Sequence, residues 1–149
     1  METHFGHQIR ILHWCTDQTM TAALAQMDLT AAQGHIMGYL AHRKTPPCCK
    51  DIEDAFHLTH PTVSGLLTRL ERKGFIAFFP DPADKRCKRI RMLERGQRCT
   101  DTMARVIAEN EERMVRDFTP QQRQVFSEYL QRAIENMGGG CRSAHPKEE

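Results

Sequence analysis

KDIEDAFHLTHPTVSGLLTRLERKGFI, running from Lys50 to Ile76, reads as two helices folded around a tight turn. Spacing predicts a short helix from Cys49 or Lys50 through His57, with Ile52, Ala55 and Phe56 turned inward at helical intervals. Leu58 and Thr59 supply the turn. A second helix follows, in which Pro61 is tolerated because first-turn amides lack intrahelical partners. Val63, Leu66, Leu67 and Leu70 step by three or four along its inner face. The opposite face is left with His60, Thr62, Ser64, Gly65, Thr68 and Arg69, which are small or polar and free to touch a partner.

Downstream, Gly74 ends this helix and Phe75 to Phe79 is a short apolar, aromatic run of strand character. Pro80-Asp81-Pro82 turns the chain, since neither proline can donate to a ladder. The return run Lys88 to Met92 alternates, with Ile90 and Met92 on one face and Arg89 and Arg91 on the other. DPADKRCKRIRML (Asp81–Leu93) thus places five cations between Lys85 and Arg91 on a hairpin tip. Two helices joined by a turn and followed by a hairpin make a winged helix-turn-helix. Its second helix enters the major groove of B-form DNA, about 12 Å wide, and its wing lies over phosphates or the adjacent minor groove. DNA explains the cations, whose mutual repulsion a polyanion relieves. The expected contacts are His60, Pro61, Thr62, Ser64, Gly65, Thr68 and Arg69 on the helix, with Asp84, Lys85, Arg86, Lys88 and Arg89 on the wing. Asp84, two residues before Arg86, is expected to hold that guanidinium by an ion pair.

Outside this unit the pattern is helical. From Ile9 to Met27 a stripe recurs that thins around Thr16, and Thr30-Ala31-Ala32-Gln33 fits a capping box ahead of Ile36, Met37 and Leu40. Cys99, Met103, Val106, Ile107, Met114 and Phe118 mark another stripe. Thr119-Pro120-Gln121-Gln122 then starts a last helix, whose apolar positions run from Val125 to Met137. The expected class is mainly α with a small β-hairpin wing, flanked by N- and C-terminal dimerisation helices whose stripes are too extensive for one chain to bury. Residues 1–149 are read as one domain: about 30–95 for the winged part, about 5–28 and 96–137 for the dimerisation helices, and 138–149 for a polar tail.

Composition agrees. The 149 residues are 40% hydrophobic and 27% charged, an ordinary folded mixture, and the net charge of +2 is unevenly spread. From His60 to Arg95 nine Lys and Arg face four acids, whereas Asp101 to Asp117 is net acidic. No apolar run of about seven residues follows a basic start, and nowhere do about eighteen apolar residues follow one another, so a cytoplasmic chain without membrane contact is expected. There the six cysteines should be reduced thiols.

These residues resemble the MarR family of bacterial transcription regulators over nearly the whole chain. The likeness rests on the Lys50–Ile76 stretch and on DPADKRCKRIRMLERG (Asp81–Gly96), whose D-x-R falls on Asp84 and Arg86 and whose helix-opening glycine falls on Gly96. It implies a homodimer with interlocked terminal helices on a pseudo-palindromic operator, acting as a repressor that a small molecule or oxidant releases. Two positions depart from the family: Leu93 stands where a threonine usually caps the helix after the wing, and Phe78 replaces a common basic residue.

The resemblance also implies an effector cleft, for which His13, Trp14, His35, Met37, Tyr39 and Arg43 are expected lining. An aromatic wall with one cation suits a small aromatic or anionic ligand. Equally, Trp14 and Met37 could simply pack the core. Cys87 lies between Arg86 and Lys88, and Cys48 and Cys49 precede a helix start; such settings favour thiolate and make these three the redox candidates. The role of the cysteine in the family's peroxide-sensing branch does not transfer to Cys15. Nor does the zinc-sensing branch's histidine pair have a counterpart, since no histidine lies between Cys99 and Phe118. No metal, cofactor or enzymatic activity is expected, and no phosphate loop, paired carboxylates or nucleophile motif is found. The other classes weighed are a thiol-based redox regulator and a winged helix that binds protein instead of DNA.

Overall fold

Hydrogen bonds at the helix starts locate the elements. The computed structural model describes residues 4–139 and, among these, six helices and two strands: α1 (Phe5–Gln26), α2 (Ala31–Ala41), α3 (Cys49–Phe56), α4 (His60–Arg72), β1 (Ile76–Pro80), β2 (Lys88–Met92), α5 (Glu94–Met114) and α6 (Pro120–Asn136). The Thr30 hydroxyl accepts the Gln33 amide at 3.3 Å while Gln33 Oε1 accepts the Thr30 amide at 3.0 Å, completing the expected box. Thr119 and Gln122 repeat it at α6. Leu93 gives α5 no side-chain cap, as expected, and its amide instead donates to Phe75 O at 2.9 Å.

α1 begins at Phe5, ahead of Ile9, the first apolar position of its stripe. The thinning at Thr16 marks a polar contact between helices. There Asn110 of α5 donates to the Thr16 carbonyl at 3.4 Å and to Thr19 Oγ1 at 2.6 Å.

The hairpin is antiparallel, pairing Ile76 with Met92, Phe78 with Ile90 and Pro80 with Lys88. Its free edge is covered by the segment after Pro46. Ile90 N donates to Pro47 O at 2.9 Å, and Cys48 bridges Arg89. The core gathers Ile36 and Met37 of α2, Ile52 of α3, Val63, Leu67 and Leu70 of α4, and Phe75, Ile76 and Ile90 around the hairpin, each at most 1% exposed. α4 is therefore pinned from beneath, and its outer face is presented rigidly. One inward assignment is corrected: Ala55 is exposed, because α3 is short and only Ile52, with Phe56 partly covered, faces the core.

Candidate nucleic-acid interface

With Val63, Leu66, Leu67 and Leu70 buried, helical geometry forces Thr62, Thr68 and Arg69 into solvent and leaves Ser64 and Gly65 half-covered. Pro61 is exposed in the first turn. The space beside Gly65 is open: apart from its chain neighbours and the helix's own backbone, no atom lies within 4 Å of where a β-carbon would stand. Thr62 Oγ1 lies 2.9 Å from Thr59 Oγ1, which fixes the start of α4.

The wing loop is built on two aspartates. Asp81 is nearly buried and accepts the Ala83 amide at 2.8 Å and Arg89 Nε at 2.7 Å, and the Arg89 guanidinium also donates to Pro46 O at 3.0 Å. The Asp81 carboxyl is held below its ordinary value, first by the Ala83 amide and then by Arg89. Two expectations are corrected here. Asp84 does not hold the Arg86 guanidinium: its carboxylate accepts the Arg86 backbone amide at 3.0 Å, the short-range bond that an aspartate makes in a tight turn. Arg89 is a structural cation tied to Asp81, so it is not a free contact for phosphate.

Lys85, Arg86 and Lys88 remain exposed, and among the described residues none of them makes an ion pair. A groove of about 590 Å³ is lined by Ser64 and Thr68 from α4, by Arg86 and Lys88 from the wing, and by Phe78 of β1. The cation-bearing wing and the hydroxyl-bearing helix thus share one opening.

Residues 29–88 match the model of the MarR family. MepR of Staphylococcus aureus, solved as the selenomethionine derivative of a variant from a multidrug-resistant clinical isolate, is 30% identical over 92% of this chain and 99% of its own, with a TM-score of 0.71. The chain belongs to the MarR family. MepR has also been solved as a DNA complex, which is 29% identical over 89% of this chain and 98% of its own, with a TM-score of 0.75. The HTH-type transcriptional regulator YxaD of Bacillus subtilis is 29% identical over 87 residues; these span 58% of this chain and 61% of YxaD.

Against the MarR pattern, the effector expectation fares unevenly. Met37 is fully buried in the core, so it cannot line a cleft. Tyr39 is buried edge-on against Phe56, with ring centroids 5.6 Å apart, and Arg43 stacks on its ring at 5.5 Å. His35 is exposed on the outside of α2, and Trp14 is 60% exposed on α1. His13 lines a separate depression of about 320 Å³ with Met20, Ile107 and Met114. Within one chain the six residues do not converge on a single cleft.

The thiol expectation is corrected for two of its three cysteines. Burial, then a hydrogen bond to Glu53, pushes the Cys49 thiol up to about 11, away from thiolate at neutral pH. Burial and the neighbouring Cys48 raise Cys87, outweighing Arg89. Cys48 is half-buried, and its amide donates to Asp51 Oδ2 at 2.8 Å. Flanking cations in sequence do not activate a thiol when their heads extend into solvent. Cys15 is exposed and Cys99 buried, while Cys141 lies outside the described residues.

His60 is exposed as expected, but it is not free. Its Nδ1 sits 2.5 Å from Glu53 Oε1, and Cys49 Sγ lies 3.3 Å from the same oxygen. This cluster was missed in the sequence, although Cys49 and Glu53 stand one helical turn apart. What spacing could not show is that the turn brings His60 back onto that face.

Proposed function

We propose that this protein is a homodimeric DNA-binding transcriptional regulator, a repressor released by a small aromatic or anionic effector, with residues 1–149 forming one MarR-like domain. The observation that carries the reading is the shared groove of Ser64, Thr68, Arg86 and Lys88. That shared opening supports a reading in which the recognition helix and the wing cations meet the same stretch of duplex. The solved MepR–DNA complex supports it. Ser64, Gly65 and Thr68 approach base edges in the major groove, Thr62 and Arg69 meet the flanking phosphates, and Lys85, Arg86 and Lys88 reach the neighbouring backbone or minor groove. The apolar faces of α1 and α6, left bare in one chain, support the dimer. The stacked Tyr39–Arg43 pair supports an effector with a flat or anionic face.

Fluorescence anisotropy against duplexes selected from genomic fragments tests this reading. Arg86→Ala should weaken binding by about 1–3 kcal/mol, and wild-type affinity should fall about 10³-fold or more between about 50 and 200 mM salt. Wild-type affinity retained by Arg86→Ala would remove the wing from the mechanism. Failure to retain any duplex would favour a winged helix that binds protein.

A further inference from the structure

We propose that Cys49, Glu53 and His60 form a three-ligand site for a zinc-like divalent cation at the head of the recognition helix, and that filling it tightens DNA binding. The three donor atoms lie within 4.8 Å of one another, and no other such cluster of His, Cys, Asp and Glu occurs among the described residues. Cys49 Sγ is 3.3 Å from Glu53 Oε1 and 3.7 Å from His60 Nδ1. Tetrahedral zinc bonds of about 2.3 Å to sulfur and 2.0–2.1 Å to nitrogen or oxygen require ligand–ligand edges of about 3.3–3.6 Å. Two edges of that face already stand close to this length. The third, Glu53 to His60 at 2.5 Å, is a hydrogen bond that must open when an ion replaces the shared proton.

The framework under these ligands is stiff. Cys49 and Glu53 sit on successive turns of α3, His60 opens α4, and the fully buried Ile52 and Val63 lock the two helices together. One sulfur, one nitrogen and one oxygen suit a borderline ion such as zinc or cobalt, and do not suit calcium or magnesium. The fourth position faces the groove that holds Ser64, Thr68, Arg86 and Lys88, where water or a phosphate oxygen can complete the shell.

Binding transfers the Cys49 thiol proton to solvent, and the neutral His60 ring shifts its single proton from Nδ1, where it bridges to Glu53, to Nε2, so that Nδ1 binds the ion. A divalent ion in place of one proton adds one net positive charge to the surface that faces DNA. That increment should raise affinity about threefold to tenfold at low salt. The site rests on geometry alone, whereas its effect on DNA rests on the proposed function.

Cobalt(II) titration of the full-length protein, without DNA, tests the site. One equivalent per chain should give a thiolate-to-cobalt charge-transfer band and the visible d–d bands of a four-coordinate ion, all bleached by zinc. Cys49→Ser should abolish the charge-transfer band, His60→Gln should weaken cobalt binding, and Cys87→Ser should keep both. His60 is exposed, so its loss does not threaten folding. Absence of the band in wild type, or its persistence in Cys49→Ser, overturns the site. With the site filled, zinc should tighten duplex binding by wild type and not by Cys49→Ser; unchanged wild-type affinity overturns the coupling. A cobalt band in a protein that binds no duplex would leave the site standing and remove the DNA reading instead.

Discussion

Gly96 shows how one residue joins the wing to α5. A β-carbon there would overlap the Phe75 carbonyl oxygen and stand 2.7 Å from Met92 Cγ and 2.9 Å from Met37 Cε. The methionines can shift, but the Phe75 oxygen cannot, because it accepts the Leu93 amide at 2.9 Å just before α5. Gly96→Ala should therefore destabilise the fold by about 1–3 kcal/mol, read as a lower urea midpoint with an unchanged slope. Gly65→Ala is the control. Its surroundings are open, so stability should hold or rise by up to about 1 kcal/mol, while a fall in duplex affinity would read out the proposed close approach of α4 at this position. The likeness to the family wing made Gly96 visible as a helix opener, but Phe75 and Met37, which crowd it, are far from it in the chain.

At the scale of the element, the wing is ordered by Asp81 and not by the aspartate nearest its tip. Asp81 joins the loop amides to Arg89, and through Arg89 to Pro46 at the sheet edge. Asp81→Asn should loosen the loop, with faster hydrogen exchange at Ala83, Arg86 and Cys87 and little change in α4. The pH dependence has a definite sign. Because the folded carboxyl is held below its ordinary value of 3.8, its stabilisation is complete above that value and fades as pH falls through the lower, folded one. Wing order should hold at neutral pH and be lost only in acid. The hairpin, its tip and its basic face were all legible from Pro80-Asp81-Pro82 and the alternation after Lys88. Which arginine the loop consumes was not, since Asp81 and Asp84 look alike until the register sets Arg89 opposite Phe79, beside Asp81.

Across the whole molecule, the terminal helices are unfinished in a single chain. α6 buries none of its residues, and Val125, Tyr129, Ile134 and the adjoining Met137 are 45–88% exposed. On α1, Phe5, Ile9, Ile11 and Trp14 are 48–69% exposed. Large apolar side chains left bare in this number on two helices fit an interface with a second copy. Sedimentation should find a species of twice the 17.2 kDa chain mass at micromolar concentration. A charge placed on the face, as in Tyr129→Asp, should raise the dissociation constant at least about tenfold, since burying one such side chain contributes about 1.5–3 kcal/mol. A monomeric wild type would contradict the dimer.

Local chemistry alone determined where the helices start, which face of α4 is apolar, and that a basic hairpin follows it. Capping, periodicity and proline act over a few residues, so neighbours in sequence are enough to state them. Contacts between distant positions came only with the tertiary structure. Arg89 was tied to Asp81, Met37 was taken into the core, and Cys49 was turned toward Glu53 and His60. Packing places side chains by what closes over them, and electrostatics by what lies within a few ångströms. Neither quantity exists until the chain has folded back on itself.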